Sequence, residues 1–264
     1  MIEVTQITEL KSRDGTKEED NVIVLTEVFA GYGSHTLLSN INFKVQKGEL
    51  WVIIGPSGAG KTTLFKVITG LLKPKHGTVE INNQDLSEKG SRKNLRGKIG
   101  YIPQNLGLVS SHDVKTNVLI GSLGRTPTLP SLFGMFSQQA HKETVELLEK
   151  LSISNLASQS IKTLSGGEKR RVAIARAMLQ KPNIVIADEF LSDLDVATAS
   201  KVMDLMLNMQ KQHDMTVVLI EHNLDSALTY ADKILFLKHG KVIEIIEPQK
   251  TEQEKLRGMF DDQE

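Results

Sequence analysis

The sequence predicts an α/β fold built on a mostly parallel sheet with helices on both faces. Three observations carry this. Short apolar runs (GELWVIIG, NIVIAD and TVVLIE) alternate with helix-length stretches. These runs are near-continuous in apolar residues, as strands covered on both faces must be. One of them, Leu50 to Ile54, leads directly into a glycine-rich loop and then a helical pattern.

Each element follows in chain order. Lys11 to Asp20 carries seven charged residues in ten and reads as the end of a flexible lead-in spanning 1–20. From Asn21, VIVLTEV and NINFKV are strand-like runs separated by the turn GYGSH. Leu64, Val67, Ile68 and Leu71 fall at i, i+3, i+4 and i+7, the spacing of one helical face. TVEINN is a further short strand set off by Pro74 and Gly77. From about Val114 to Leu156 the character is helical, broken by the Pro- and Gly-rich connector GRTPTLPSLFG, so that 105–162 reads as an inserted helical subdomain. LFLKHGKVIEII reads as a terminal hairpin, the main domain spans 21–250, and 251–264 form a tail.

Bulk composition narrows the classes. The chain has 264 residues, 39% hydrophobic and 24% charged, enough for a core and a solvated surface. Lys plus Arg and Asp plus Glu both number 32, so no net charge draws it to a polyanion and a nucleic-acid partner is not expected. With no cysteine, disulfides, thiolate metal sites and cysteine nucleophiles are excluded. No apolar run approaches the roughly 18 residues of a membrane span, and the N-terminus lacks an apolar signal-peptide core. Work at a membrane would need a separate chain to hold this one there.

Gly55, Pro56, Ser57, Gly58, Ala59, Gly60, Lys61 and Thr62 fit GxxxxGK[ST], with Thr63 following. Glycines let successive N–H groups turn toward phosphate oxygens with no Cβ in the way. The following helix turns its positive end to the same anion. Lys61 offers a point charge to the β- and γ-phosphates, and Thr62 a hydroxyl to Mg²⁺. A glycine-rich turn with a chance lysine is the bland reading; a strand before and a helix after argue against it.

NIVIAD ends in two carboxylates, Asp188 and Glu189. A carboxylate at a buried strand end is costly without a cation, and Mg²⁺ would offset that cost. Asp188 is expected to coordinate the metal and Glu189 to act on the attacking water, the two diverging because successive strand side chains point oppositely. Alone, such a pair is more often two surface acids; the phosphate loop upstream changes that weighing.

Thr163 to Ala177 reads TLSGGEKRRVAIARA. Ser165, Gly166 and Gly167 before a helix make a second turn of exposed N–H groups, and a plain N-cap is the alternative. The stretch resembles the signature motif of ABC ATPases, and the order of phosphate loop, Gln104, signature, Asp188-Glu189, Asp195 and His222 is similar to that family from about Asn21 to Ile246. The resemblance implies a P-loop NTPase (RecA-like) core with an antiparallel β subdomain and an inserted helical subdomain. It implies ATP hydrolysis with Mg²⁺, Tyr32 stacked on adenine, Gln104 reaching toward Mg²⁺ and water, His222 contacting the γ-phosphate and Asp195 at a dimer interface. It also implies a head-to-tail pair, in which Ser165 and Gly167 of one copy close over ATP held by Lys61 of the other. Phe190, Leu191 and Glu168 depart from the family pattern. Phe190 puts in doubt how Glu189 is held, and with Leu191 it puts the turnover rate in doubt more than the reaction.

The same resemblance implies a separate membrane-spanning permease, an indirect solute-binding protein, and a peripheral location on the cytoplasmic face of the membrane. Two competing readings stand beside it: an ABC ATPase of a non-transport or differently specific membrane complex, and a soluble ABC protein of DNA repair or translation. The latter usually carries a long coiled coil or tandem cassettes, and this chain has neither. Asn117 to Phe136 resembles a segment of phosphonate-importer ATPases, which implies import of a small phosphorus oxyanion compound. A connector shaped by packing, with Leu132, Phe133, Met135 and Phe136 filling a core, is the other reading.

Overall fold

The structure is a computed structural model that describes residues 20–88, 95, 97–125, 135–221 and 224–250. The expected lead-in up to residue 19, the tail 251–264, positions 126–134 of the segment resembling phosphonate importers, and His222 lie outside the described residues.

A six-stranded sheet forms the centre, in the order β10-β9-β3-β8-β7-β6. Its members are β3 (Leu50–Ile54), β6 (Ile99–Ile102), β7 (Ile184–Asp188), β8 (Thr216–Ile220), β9 (Lys233–Lys238) and β10 (Lys241–Ile246). All neighbouring pairs are parallel except the β9–β10 hairpin. Every residue of β3, β7 and β8 is buried, which explains their unbroken apolar runs. The two-residue side-chain period divides them between two cores. Leu50, Val52, Ile54, Val185, Ala187, Val217 and Leu219 face one cluster. Trp51, Ile53, Ile184, Ile186, Val218 and Ile220 face the other.

The second core is closed by α1 (Lys61–Ile68) and by a four-stranded antiparallel sheet, β2-β1-β4-β5. Its strands are β1 (Asn21–Ala30), β2 (Leu38–Gln46), β4 (His76–Ile81) and β5 (Gln84–Asp85). This is the expected antiparallel subdomain. The first core is closed by α2 (Val114–Ile120), α3 (Gln138–Lys150), α4 (Gly166–Leu179), α5 (Val196–His213) and α6 (Leu224–Tyr230). Helices α2 and α3 form the insert between β6 and α4, and Val114, Val118 and Leu148 share one apolar cluster with Val172 and Ile174 of α4.

One helix expectation is corrected. The i, i+3, i+4, i+7 spacing predicts Leu71 as the last rung of the α1 face, but α1 ends at Ile68 with Thr69 as its C-cap. The Thr69 hydroxyl donates to the Phe65 carbonyl at 2.9 Å and closes the last turn. Gly70 follows with φ 71°, and Leu71 is 67% exposed.

Candidate active site

The phosphate loop spans the step from β3 to α1. Gly55, Gly58 and Gly60 all take positive φ, at 157°, 79° and 103°. A Cβ on Gly55 would come within 2.0 Å of the Leu237 carbonyl oxygen, so the loop also needs glycine for its close approach to β9. Gly60 is the N-cap of α1, leaving the first N–H groups of the helix toward the loop. Lys61 is 6% exposed, and its ammonium donates to the carbonyls of Gly55 at 2.7 Å and Pro56 at 3.1 Å. Burial pushes its pKa down, against the pull of the Glu189 and Asp188 carboxylates. A cleft of about 430 Å³ is lined by Leu37, Ser57, Gly58, Ala59, Gly60, Lys61, Thr62, Thr63 and Glu189. The loop and the carboxylate from β7 thus share one space, although β8 lies between their strands.

Asp188 is the last residue of β7 and is buried. Glu189 is not on the strand, and this corrects the reason given for its divergence from Asp188. Its φ is 44°, so the chain leaves the sheet in a left-handed turn and the side chain swings out by backbone geometry rather than by strand alternation. Its N–H still donates to Ile220 of β8 at 2.9 Å, and its carbonyl accepts from Ser192 at 3.1 Å. Gln104, just beyond β6, donates from Nε2 to the Glu189 carboxylate at 2.8 Å. Three elements distant in sequence therefore converge: the loop after β3, the turn after β7 and the loop after β6.

The signature residues stand apart from this cleft. Ser165 is the N-cap of α4, and its hydroxyl accepts from the Glu168 N–H at 3.3 Å. The Glu168 carboxylate accepts from the Ser165 N–H and hydroxyl, each at 2.8 Å. This capping box holds the Glu168 carboxyl low, through those bonds. It gives the departure at position 168 a local structural role. Ser165 and Gly166 are exposed, and neither lines the phosphate-loop cleft. Asp195 is exposed and caps α5, accepting from the Thr198 N–H at 3.0 Å. Tyr32, 47% exposed, lies in the loop between β1 and β2, with Lys66 of α1 5.5 Å from its ring centre and 3.1 Å from its hydroxyl.

Three further residues at the site escaped sequence reasoning. Glu221, directly after β8, is 7% exposed, and its Oε1 has no hydrogen-bond partner among the described residues. Burial, then the charges of Glu189 and Asp188, push its pKa up to about 7 against the opposing pull of Arg170. Its signal was available, because TVVLIE repeats the apolar-strand-then-acid pattern of NIVIAD. Arg176 of α4 donates to the carbonyls of Leu106 and Gly107, both at 2.5 Å, and so anchors the loop that follows Gln104. Arg170, also on α4, donates to the carbonyls of Phe190 and Ser192, in the turn that follows Glu189.

A phosphate cradle at the end of one parallel strand, facing a carboxylate in the turn after another strand of the same sheet, defines a P-loop nucleotide hydrolase. The family described as ABC transporter matches residues 38–192, more than half of the chain, and the chain belongs to that family. Among its relatives is the Phosphonates import ATP-binding protein PhnC of Fusobacterium nucleatum, 33% identical over 243 residues, covering 91% of this chain and 98% of that protein. The protein of the same name from Caulobacter vibrioides is 34% identical, covering 91% and 94%. Among solved structures, cbiO1 from Clostridium perfringens, part of the ABC transporter complex cbiONQ, superposes with a TM-score of 0.80 at 30% identity, covering 91% of this chain and 95% of that one. The ATP-binding cassette MJ0796, solved as a dimer in a post-hydrolysis state bound to ADP and Pi, superposes with a TM-score of 0.73 at 30% identity, covering 87% and 100%. The chain is an ABC ATPase, with the α/β cassette architecture expected of one. Among the described residues no helix is long and apolar enough to cross a membrane.

Proposed function

We propose that this chain hydrolyses ATP to energise a membrane importer of phosphonate or a related small phosphorus oxyanion. It works as a head-to-tail pair, docked at the cytoplasmic face of the membrane on a separate permease that receives substrate from a solute-binding protein. The observation that carries the substrate class is the shared name of the relatives, phosphonate import ATP-binding proteins, across 91% of this chain in two of them.

The residues divide the work as follows. The backbone N–H groups of Ser57 to Thr63 and the Lys61 ammonium hold the phosphates and spread the charge of the transferring γ-phosphoryl group. Lys61, already bonded to two loop carbonyls, is preset for an anion and needs little reorganisation to meet one. Glu189 accepts a hydrogen bond from the attacking water, and the amide of Gln104 fixes that carboxylate. Tyr32 stacks on the adenine, and His222 contacts the γ-phosphate. Ser165, Gly166 and Gly167 meet the ATP held by the second copy, with Asp195 at the contact between copies. That Ser165, Gly166 and Asp195 are exposed and away from their own chain's cleft supports this reading.

The donors near the cleft fit Mg²⁺. Thr62, Asp188 and Gln104 offer hard oxygens, and among the described residues no three His, Cys, Asp or Glu form a cage. An ion that draws most of its ligands from phosphate and water suits such a set. When bound, Mg²⁺ would neutralise charge between the β- and γ-phosphates.

The test is uptake by the assembled complex in proteoliposomes, comparing methylphosphonate, inorganic phosphate, an amino acid and a sugar. ATP-dependent uptake of methylphosphonate or phosphate is the expected result. Uptake of the amino acid or sugar alone would overturn the substrate class and leave the ATPase intact.

A further inference from the structure

Phe190 stands directly after Glu189, and its side chain is fully buried in the core that α4 also lines. The turn it begins is unusual in having no glycine. Glu189 and Asp193 adopt φ of 44° and 63°, positions that cost energy for residues with a Cβ unless the surroundings hold them. Leaving the sheet this way also strips backbone carbonyls of ladder partners, and buried carbonyls need donors.

Arg170 supplies those donors. It is 7% exposed, and it reaches the turn from the second helical turn of α4. Its Nε donates to the Phe190 carbonyl, one Nη to the Ser192 carbonyl, and the other Nη to the Gly166 carbonyl at 3.3 Å. A planar guanidinium can span three acceptors in one fixed fork; an ammonium cannot hold that geometry. Side-chain packing reinforces the tie. A Cβ on Gly166 would lie 3.2 Å from Leu194, and one on Gly167 would lie 2.7 Å from Thr198. The turn after Glu189 and the signature turn are therefore interlocked within one chain.

We propose that Arg170 is a positioning residue for Glu189: it fixes the turn that aims the carboxylate and couples its place to that of the signature turn. This rests on the ATPase reading and deepens it. Arg170 is 20 residues from Phe190 and does not line the phosphate-loop cleft, so it acts on turnover rather than on nucleotide binding. A small displacement of a group that aligns the attacking water is felt strongly in rate.

The experiment measures ATPase activity of the full chain with Mg²⁺ for wild type, Arg170→Met, Glu189→Gln and the double variant, with Arg170→Lys alongside. Arg170→Met should lower kcat by roughly 10- to 100-fold while KM for ATP stays within about twofold. In the Glu189→Gln background the same change should add no more than about twofold, because Arg170 works through that carboxylate. Arg170→Lys should remain clearly slower than wild type with the same split between kcat and KM, and it serves as the test if the Met variant does not fold. A wild-type kcat in either Arg170 variant would overturn the proposal. So would a loss explained by KM, or an equal further loss in the Glu189→Gln background. A wild-type chain with no ATPase activity would instead sink the underlying catalytic reading.

Discussion

The phosphate loop and the turn after β7 meet in one cleft but are built by opposite means. In residues 55–62 the required backbone is written locally: glycines occupy the positive-φ positions, and Lys61 bonds carbonyls five and six residues back. In residues 189–195 the positive-φ positions are Glu189 and Asp193, and the turn is fastened by Arg170 from another helix. A loop encoded by its own glycines shows itself in sequence. A loop of ordinary residues held from outside shows itself only once the chain is folded.

The largest expected effect lies in the locally encoded loop. Lys61→Ala removes the cation proposed to meet the phosphates and should slow turnover by about 10³-fold, measured as phosphate release at saturating ATP. Normal turnover would break the comparison at its first term. Next come the loop's glycines. Gly55→Ala places a methyl 2.0 Å from the Leu237 carbonyl and should destabilise the fold by roughly 3 kcal/mol or more in urea unfolding. Gly58→Ala meets nothing within 4 Å and should cost only the backbone strain, about 1–2 kcal/mol. Equal losses at the two positions would show that conformation, not close approach, decides the loop.

Long-range ties can be tested away from the site. Glu143 of α3 accepts from Arg125, Gln139 and Lys181, the last lying between α4 and β7. Burial alone would push its carboxyl up, but these hydrogen bonds and the Arg125 charge outweigh burial and hold it at about 2. A carboxyl whose folded pKa lies below its unfolded value of 4.5 contributes stability above about pH 4.5, and that stability fades as pH falls toward 2. Glu143→Gln should therefore destabilise by about 2 kcal/mol at pH 7, discounted for the exposed Lys181. The gap from wild type should close on acidification. A gap independent of pH would mean the glutamate contributes by shape alone. The smallest effect belongs to Gln104→Ala. It loses one hydrogen bond to the Glu189 carboxylate and should slow turnover by about tenfold.

Legibility followed the same division. The strands β3, β7 and β8, the phosphate loop and the terminal hairpin could be read because each is set by consecutive residues: unbroken apolar runs, spaced glycines, a turn between two strands. The Leu71 error arose where helical periodicity ran past a cap that only the Thr69 hydroxyl and Gly70 backbone reveal. The side-chain divergence of Asp188 and Glu189 was expected, but for the wrong reason, because a left-handed glutamate has no sequence signature. Arg170 and Arg176 sat in view within EKRRVAIARA, yet nothing in the run separates clamping arginines from solvated ones. Glu221 could have been found by comparing the ends of β7 and β8. The doubt over Phe190 acquires a physical content: its side chain anchors the turn in the core while its carbonyl is held by Arg170.

The central claim is that Glu189, swung out of β7 into the phosphate-loop cleft, activates the water that attacks ATP. The most direct measurement is a single-turnover comparison of wild type and Glu189→Gln with Mg-ATP, with nucleotide binding measured in parallel. The amide keeps the shape and loses the base, so the account predicts unchanged ATP binding and hydrolysis slowed by about 10²–10⁴-fold. Hydrolysis by the variant at the wild-type rate, with ATP bound equally well, would contradict it.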